Sequence, residues 1–320
     1  MNDRNRMFAA KALPRSLSLL ALGALAMAVA GQSIPPAEGG TPSEARGSTV
    51  LEAPDPFPVG KGVTAVDFDG TPLNLHFYKP GSYSGERFIL LLHGASRAAA
   101  RYRNDAARMA ERFHSLVVVP EFDQERFPSR LYQFGGVFGM DGTLADTDEW
   151  TYSYIPMIVE HIREREGDSG LPYLLLGFSA GGQFVSRMAA FVDLDAERLL
   201  VISPGSAMFP TRDLDFGLGF GRLPNELSND QRIQRYLAQP ITVYIGTHDT
   251  EMAQLPTGDA YEQGVHRYSR NLRYFNEAMD LAYEREWEFN WRLVIADGPG
   301  HSPPDMFNHA PIENALFGHR

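Results

Sequence analysis

Short runs of uninterrupted apolar residues recur along the chain, and they predict strands that are buried on both faces of a sheet. Between these runs, apolar residues return every three to four positions, which predicts amphipathic helices packed against that sheet. The alternation indicates an α/β fold, with a mainly parallel sheet of about eight strands covered by helices on both faces. The apolar runs lie at 88–92, 116–119, 172–176, 199–202, 241–245 and 292–295, and the helical patterns lie at 101–113, 150–166, 184–192, 230–237, 265–283 and 312–317.

A β-hairpin is predicted ahead of this alternation. Residues 63–69 and 73–78 read as strands, and Asp69-Gly70 at their junction is a residue pair that tight hairpin turns favour. The hairpin supplies the first two strands of the sheet.

Three connections, 121–149, 204–229 and 250–264, are too long to be simple turns. Each follows the carboxyl end of a predicted strand, which is the edge of an open α/β sheet where ligands bind. We expect some of their large apolar side chains to line a cleft beneath a short lid, and others to anchor the loops to the core. These side chains are Phe122, Phe127, Tyr132, Phe134, Phe138, Phe209, Phe216, Phe220 and Leu255.

The beginning of the chain differs in composition from the rest. Four basic residues precede the apolar stretch 17–30, which ends in Ala28-Val29-Ala30, the pattern of a Sec-type signal peptide. We predict cleavage after Ala30 and export to the periplasm or the cell exterior without stable membrane insertion; an uncleaved anchor is the alternative. Residues 31–62, rich in Pro, Gly, Ser and Thr, predict a flexible linker, and residues 63–320 predict the folded domain.

Composition narrows the chemistry. The chain has 320 residues and 0 Cys, which excludes disulfides, a cysteine nucleophile and cysteine-ligated metal sites. A domain of this length can bury a sufficient core without disulfides. The formal net charge of −11 argues against a nucleic-acid partner, which requires a basic surface. No H-E-x-x-H or phosphate-loop motif occurs in the sequence, and we expect no metal and no organic cofactor.

Residues 177–181 read G-x-S-x-G directly after the apolar run 172–176 and before a helical pattern. This is the sequence form of a nucleophile elbow, in which a serine is held on a strained turn between a strand and a helix. The pentapeptide alone is a weak signal, but its place between a buried strand and a helix is the context that the elbow requires. Ser179 is therefore the candidate nucleophile.

A serine hydroxyl needs a histidine as base, and the histidine needs a carboxylate to orient it. In the elbow architecture these partners follow the serine in the order acid, then histidine. Asp249 follows the strand 241–245 and His301 follows the strand 292–295, so both are expected at the same sheet edge as Ser179. Asp213, after the preceding strand, is the first alternative acid, and Asp259 is a more distant one.

An oxyanion hole requires two backbone N–H donors near the nucleophile. One is expected from Ala180, the residue after the serine, and the other from the loop that follows the strand 88–92. That loop reads His93-Gly94-Ala95-Ser96, so Ala95 is the predicted donor, with Ser96 in reserve. His93 is interpreted as a structural brace for this loop.

These motifs, in this order and spacing, resemble the α/β-hydrolase fold family from about Val63 to the C-terminus. Within that family, the chain is similar to secreted esterases of the polyhydroxybutyrate-depolymerase and feruloyl-esterase type. The features that carry this similarity are the signal peptide, the short lid and the H-G-A-S loop. The resemblance implies Ser179 as nucleophile, His301 as base and Asp249 as orienting acid, without a cofactor.

The function expected from this reading is an exported serine hydrolase that cleaves a small-molecule or polymeric carboxylic ester through an acyl-enzyme. A peptidase or amidase of the same fold is one alternative, because the same three side chains serve both reactions. A non-catalytic binding protein with this fold is the other.

Overall fold

The computed structural model describes residues 54–252, 255 and 258–318. Within this part, eight strands form one sheet: β1 Gly60–Phe68, β2 Thr71–Lys79, β3 Phe88–Leu92, β4 Leu116–Pro120, β5 Tyr173–Phe178, β6 Arg198–Ile202, β7 Ile241–Gly246 and β8 Arg292–Ala296. Their order across the sheet is β1-β2-β4-β3-β5-β6-β7-β8. The β1–β2 and β2–β4 pairs are antiparallel and all other pairs are parallel. The predicted α/β fold is confirmed.

Helices cover both faces of this sheet. Because side chains alternate along each strand, the buried strands contribute to two separate hydrophobic clusters. Helices α3, α4, α6 and α7 pack on one face, and α1, α2, α8 and α9 pack on the other. The helices are α1 Ala99–Asp105, α2 Ala107–Arg112, α3 Tyr154–Glu166, α4 Ala180–Met188, α5 Asn225–Ser228, α6 Asp230–Ala238, α7 Arg267–Glu284, α8 Pro303–Asn308 and α9 Ile312–Phe317.

Helix boundaries differ locally from the sequence prediction. The predicted helix 101–113 is divided into α1 and α2 at Ala106, whose ψ is −6° rather than the value of about −42° of an α-helix. Residues 151–153 form a 3-10 helix ahead of α3. Helices α5 and α8 were not predicted, because four to six residues are too few to show a helical period.

The packed domain includes residues that precede position 63. Phe57 is 2% exposed, its N–H donates to Glu166 Oε1 at 3.1 Å, and the Arg165 guanidinium lies 4.1 Å from its ring centroid. Residues 54–62 of the predicted linker therefore belong to the packed domain. The sequence does not reveal this, because a single aromatic residue among prolines forms no periodic pattern. The predicted signal peptide and the rest of the linker lie outside the described residues. No helix in the described part is long and apolar enough to span a bilayer.

Candidate active site

Ser179 lies on a sharp turn between the end of β5 and the start of α4. Its φ of 56° and ψ of −111° fall in a region that residues other than glycine rarely adopt. A Cβ on Gly177 would overlap the backbone of Gly181, and a Cβ on Gly181 would overlap the carbonyl of Leu92. Both glycines of the motif are thus required by the close approach of strand and helix, as a nucleophile elbow demands.

Ser179, His301 and Asp249 form a single hydrogen-bonded chain at the carboxyl edge of the sheet. His301 Nδ1–H donates to Asp249 Oδ2 at 2.9 Å, because a carboxylate can only accept. The other ring nitrogen, Nε2, therefore carries a lone pair, and it accepts a hydrogen bond from Ser179 Oγ at 3.0 Å. Asp249 is fully buried, while the His301 side chain is 22% exposed. The structure thus brings together the three side chains that the sequence singled out.

The surroundings of Asp249 include a cation. Arg267, the first residue of α7, is 6% exposed, and its Nη1 lies 3.5 Å from Asp249 Oδ1, the oxygen that His301 does not use. This ion pair compensates the charge of a carboxylate that is removed from water. The alternative acid, Asp213, is exposed on the connection after β6 and makes no contact with His301 among the described hydrogen bonds and ion pairs.

The loop after β3 is held by His93. His93 Nε2 accepts a hydrogen bond from the Phe122 N–H at 3.1 Å, so its Nδ1–H donates to the Gly94 carbonyl at 3.1 Å. Tyr132 Oη donates to the His93 carbonyl at 2.7 Å. These contacts support the interpretation of His93 as a brace for the segment that contains Ala95.

His93 is expected to make the folded state sensitive to acid. Burial lowers its pKa from 6.5 to about 4. Because the unfolded chain binds this proton first as the pH falls below about 6.5, stability is lost progressively down to about pH 4, by about 3 kcal/mol. Urea denaturation at several pH values measures this loss. In His93→Asn, the stability should fall much less between neutral and acidic pH, because this buried titrating group is absent.

Ala95 and Ala180 both line a cavity with Ser179 and His301. Ala95 follows Gly94 in a tight turn closed by a 3.1 Å hydrogen bond from Arg97 N–H to the Gly94 carbonyl. The Ala95 N–H donates to no acceptor among the described residues, which leaves it available for an oxyanion. The oxyanion role of Ala95 and Ala180 stays a prediction.

Ala95→Pro tests this prediction by removing one N–H. Position 95 is the second residue of the turn, where proline is tolerated, so we expect the fold to be retained. We expect kcat to fall about 10²- to 10³-fold, because one donor to the developing oxyanion is lost. Ala95→Gly retains the N–H and serves as control. Similar kcat values in both variants would exclude Ala95 as a donor.

The cavity has a volume of about 490 Å³, and the three long connections all contribute to its wall. Phe134 and Phe216 line it, whereas five other aromatics of these connections are buried in the core, so both expected roles occur. A second cavity of about 510 Å³ shares Phe134, Asp215 and Phe216 with the first. The five buried anchors are Phe122, Phe127, Tyr132, Phe209 and Phe220.

Arg187 on α4 fastens two of these connections together. Its Nε donates to the Gly217 carbonyl at 2.8 Å, and its Nη1 donates to the Gln133 carbonyl at 3.0 Å. Gln133, Gln183 and Arg267 also line the cavity. No sequence motif points to these residues, because their place in the site depends on the path of the loops. Within the described ranges, no group of three or more His, Cys, Asp or Glu side chains is arranged to hold a metal ion.

The fold and site can be compared with known proteins. No protein-family model matches the chain, and no curated protein matches its sequence. Among solved structures, the poly(3-hydroxybutyrate) depolymerase LpqC from Bordetella parapertussis is 29% identical with a TM-score of 0.73, over 80% of this chain and 90% of that one. Poly(aspartic acid) hydrolase-1 from Sphingomonas sp. KT-1 is 28% identical with a TM-score of 0.73, over 80% of this chain and 98% of that one. Taken with the elbow at Ser179, these similarities show that the chain has the α/β-hydrolase fold and support a serine hydrolase of that fold.

Proposed function

We propose that this protein is an exported serine hydrolase that cleaves carboxylic esters through an acyl-enzyme on Ser179. The observation that carries the proposal is the hydrogen-bonded chain from Asp249 through His301 to Ser179 at the wall of a cavity. A non-catalytic binding protein would have no need of a strained serine that faces a histidine oriented by a buried carboxylate. The export step rests on the signal-peptide pattern of residues 1–30.

The proposed reaction has two halves. Ser179 Oγ attacks the carbonyl carbon of the ester while its proton passes to His301 Nε2, and the N–H groups of Ala95 and Ala180 stabilise the oxyanion. His301 then gives the proton to the departing alcohol, which leaves an acyl-Ser179 ester. Water attacks this ester while its proton passes to His301. His301 then returns the proton to Ser179 Oγ as the acyl–oxygen bond breaks, which releases the acid and regenerates Ser179. Asp249 holds the tautomer of His301 and stabilises the imidazolium in both halves.

The substrate class is proposed from the two related structures and from leaving-group chemistry. One relative is named for a polyester, poly(3-hydroxybutyrate), and the other for a polyamide, poly(aspartic acid). These names support a small or polymeric acyl substrate, and they keep a peptidase or amidase as the alternative. We propose the ester, because an alcohol departs more readily than an amine, so a site able to cleave amides also cleaves the matching esters.

A probe and a substrate pair test this proposal. We expect a fluorophosphonate probe to label Ser179, identified by mass spectrometry, and nitrophenyl esters to be turned over with a burst of product. A nitrophenyl ester and the nitroanilide of the same acyl group then separate esterase from amidase. Comparable kcat/KM values for the pair would favour the amidase, and an unlabelled Ser179 would remove the acyl-enzyme altogether.

A further inference from the structure

Buried charges near the cavity are unbalanced. Among the residues that the structure describes, the buried carboxylates are those of Asp249 and Glu166, against six buried arginines. Two of these arginines, Arg97 and Arg187, contact residues of the cavity wall, and neither forms an ion pair within the described part of the chain. This local excess of positive charge contrasts with a chain whose net charge is −11. The six are Arg97, Arg163, Arg187, Arg267, Arg270 and Arg292.

Arg187 lies directly behind the cavity wall and has no solvent exposure. Its Nη1 donates to Gln183 Oε1 at 3.2 Å, its Nη2 donates to Ser206 Oγ at 2.9 Å, and its guanidinium lies 4.4 Å from the Phe134 ring centroid. All three of these residues line the cavity. Burial lowers the pKa of Arg187 to about 10, which leaves it charged at neutral pH. Its charge therefore acts on the cavity across a single layer of side chains.

Arg187 also fixes the orientation of the Gln183 amide. A guanidinium can only donate, so the Gln183 oxygen must face it, and Ser206 Oγ lies 3.4 Å from the same oxygen. The Gln183 amino group is consequently directed away from Arg187, and it has no acceptor among the residues described. Since Gln183 lines the cavity, these N–H donors are available to a ligand.

Gln133, in the connection 121–149, is also an amide whose oxygen accepts from a buried arginine. Arg97 Nη2 donates to Gln133 Oε1 at 3.4 Å, while Arg97 itself is stacked 4.0 Å from the Tyr132 ring centroid. The amino group of Gln133 is likewise without an acceptor in the part of the chain that the structure covers, and Gln133 lines the same cavity. The two glutamines are neighbours, because Arg187 Nη1 bonds both the Gln133 carbonyl and the Gln183 side chain.

We propose that Gln133 and Gln183 form a donor pair that binds a carboxylate of the substrate, so that the enzyme prefers acyl groups carrying a negative charge at their far end. This rests on the hydrolase function proposed above. Gln183 lies one helical turn after Ser179, with its N–H bonded to the Ser179 carbonyl at 2.9 Å. A carboxylate at the donor pair is thus a few bonds from a scissile carbonyl at Ser179.

Charge distinguishes a carboxylate from a neutral carbonyl at this pair. Both groups accept from amide N–H donors, but only the carboxylate is also attracted by Arg97 and Arg187, through a wall with little water to screen them. The one acid that lines the cavity, Asp215, is 57% exposed and lies 3.3 Å from Arg222, so its charge is screened and partly compensated. The donor pair therefore favours anions.

The test compares two substrates of the same shape. One is the nitrophenyl half-ester of glutarate, and the other is the neutral ester in which an isopropyl group replaces the carboxylate. We expect wild-type kcat/KM to favour the glutarate half-ester after subtraction of its spontaneous hydrolysis. Gln183→Glu keeps the acceptor for Arg187 and Ser206 but replaces the amino group with a second carboxylate oxygen. We expect it to lower the ratio of the two kcat/KM values by about 10- to 100-fold.

Gln124→Glu is the matched control. Arg97 Nε donates to Gln124 Oε1 at 3.2 Å, but Gln124 is exposed and does not line the cavity. The same charge change at this position partly compensates Arg97 but leaves the Gln183 amino group in place, so it should lower the substrate ratio much less than Gln183→Glu does. A wild-type preference for the neutral ester, or equal shifts in Gln183→Glu and Gln124→Glu, would overturn the donor pair.

A binding measurement separates this inference from the hydrolase proposal. Calorimetry with Ser179→Ala should detect binding of monomethyl glutarate. The neutral isostere should bind more weakly to the same variant. Monomethyl glutarate should not bind to Ser179→Ala/Gln183→Glu. If Ser179 reacts with the fluorophosphonate while monomethyl glutarate does not bind, the donor pair fails and the hydrolase stands. If monomethyl glutarate binds but the fluorophosphonate does not label Ser179, the donor pair stands and the hydrolase proposal fails.

Discussion

Ser179→Ala is expected to lower kcat/KM for a nitrophenyl ester by about 10⁴-fold or more and to abolish fluorophosphonate labelling. The substitution removes the atom that forms the acyl-enzyme, so that only substrate binding and the oxyanion donors continue to assist attack by water. Alanine retains the Cβ, and the His301–Asp249 hydrogen bond does not depend on the hydroxyl. We therefore expect an unchanged thermal midpoint alongside the loss of initial rate.

Ser203→Ala is the control for this variant. Ser203 also follows a strand, β6, and has a positive φ of 48°, but its Oγ is buried without a hydrogen-bond partner among the described residues. Its removal should leave kcat/KM unchanged. Retained turnover in Ser179→Ala, or an equal loss in Ser203→Ala, would contradict the assignment of the nucleophile.

Asp249→Asn is expected to lower kcat by about 10³- to 10⁴-fold. The amide of asparagine can donate to His301 Nδ1, which places the imidazole proton on Nε2 and prevents it from accepting the proton of Ser179. The neutral amide also cannot stabilise the imidazolium formed during the reaction. Single-turnover kinetics should show that acylation is slowed while binding of a non-reactive ester analogue is retained.

Asp213→Asn provides the comparison for the acid. Asp213 is exposed, and no described hydrogen bond or ion pair links it to His301. We expect it to keep the wild-type kcat. A large loss in Asp213→Asn together with a small loss in Asp249→Asn would transfer the role of acid to Asp213 and would require the loop that carries it to move.

The parts of the fold that could be predicted are those fixed by local pattern. The five apolar residues of β3 suit only a strand buried on both faces, and the structure assigns the same bounds, Phe88–Leu92. The break at Ala106 and the packing of Phe57 could not be predicted, because each depends on contacts between distant segments.

The same division applies to the candidate site. Ser179, Asp249 and His301 could be placed together from the sequence, since parallel strands end at one edge of a sheet and each residue follows such a strand. The contribution of Gln133, by contrast, depends on how the connection 121–149 folds back over α4, and nothing in its local sequence encodes that path. Arg267 likewise appears in the sequence as an ordinary position of the predicted helix 265–283, and Gln183 lies one residue ahead of the predicted helix 184–192.

The hydrogen bonds by which Arg187 joins two connections determine which residues of this enzyme can change without moving them. Its bonds to Gln133 and Gly217 end on main-chain carbonyl oxygens, which every residue type possesses. Side chains of the connections 121–149 and 204–229 can therefore be exchanged during evolution or in the laboratory while the two connections keep their spacing. Position 187 lacks that freedom, because a lysine in its place has a single ammonium group in place of the planar fork that spans the two carbonyls. Libraries that vary the cavity-lining side chains of these connections and keep Arg187 constant are expected to yield variants with new substrates.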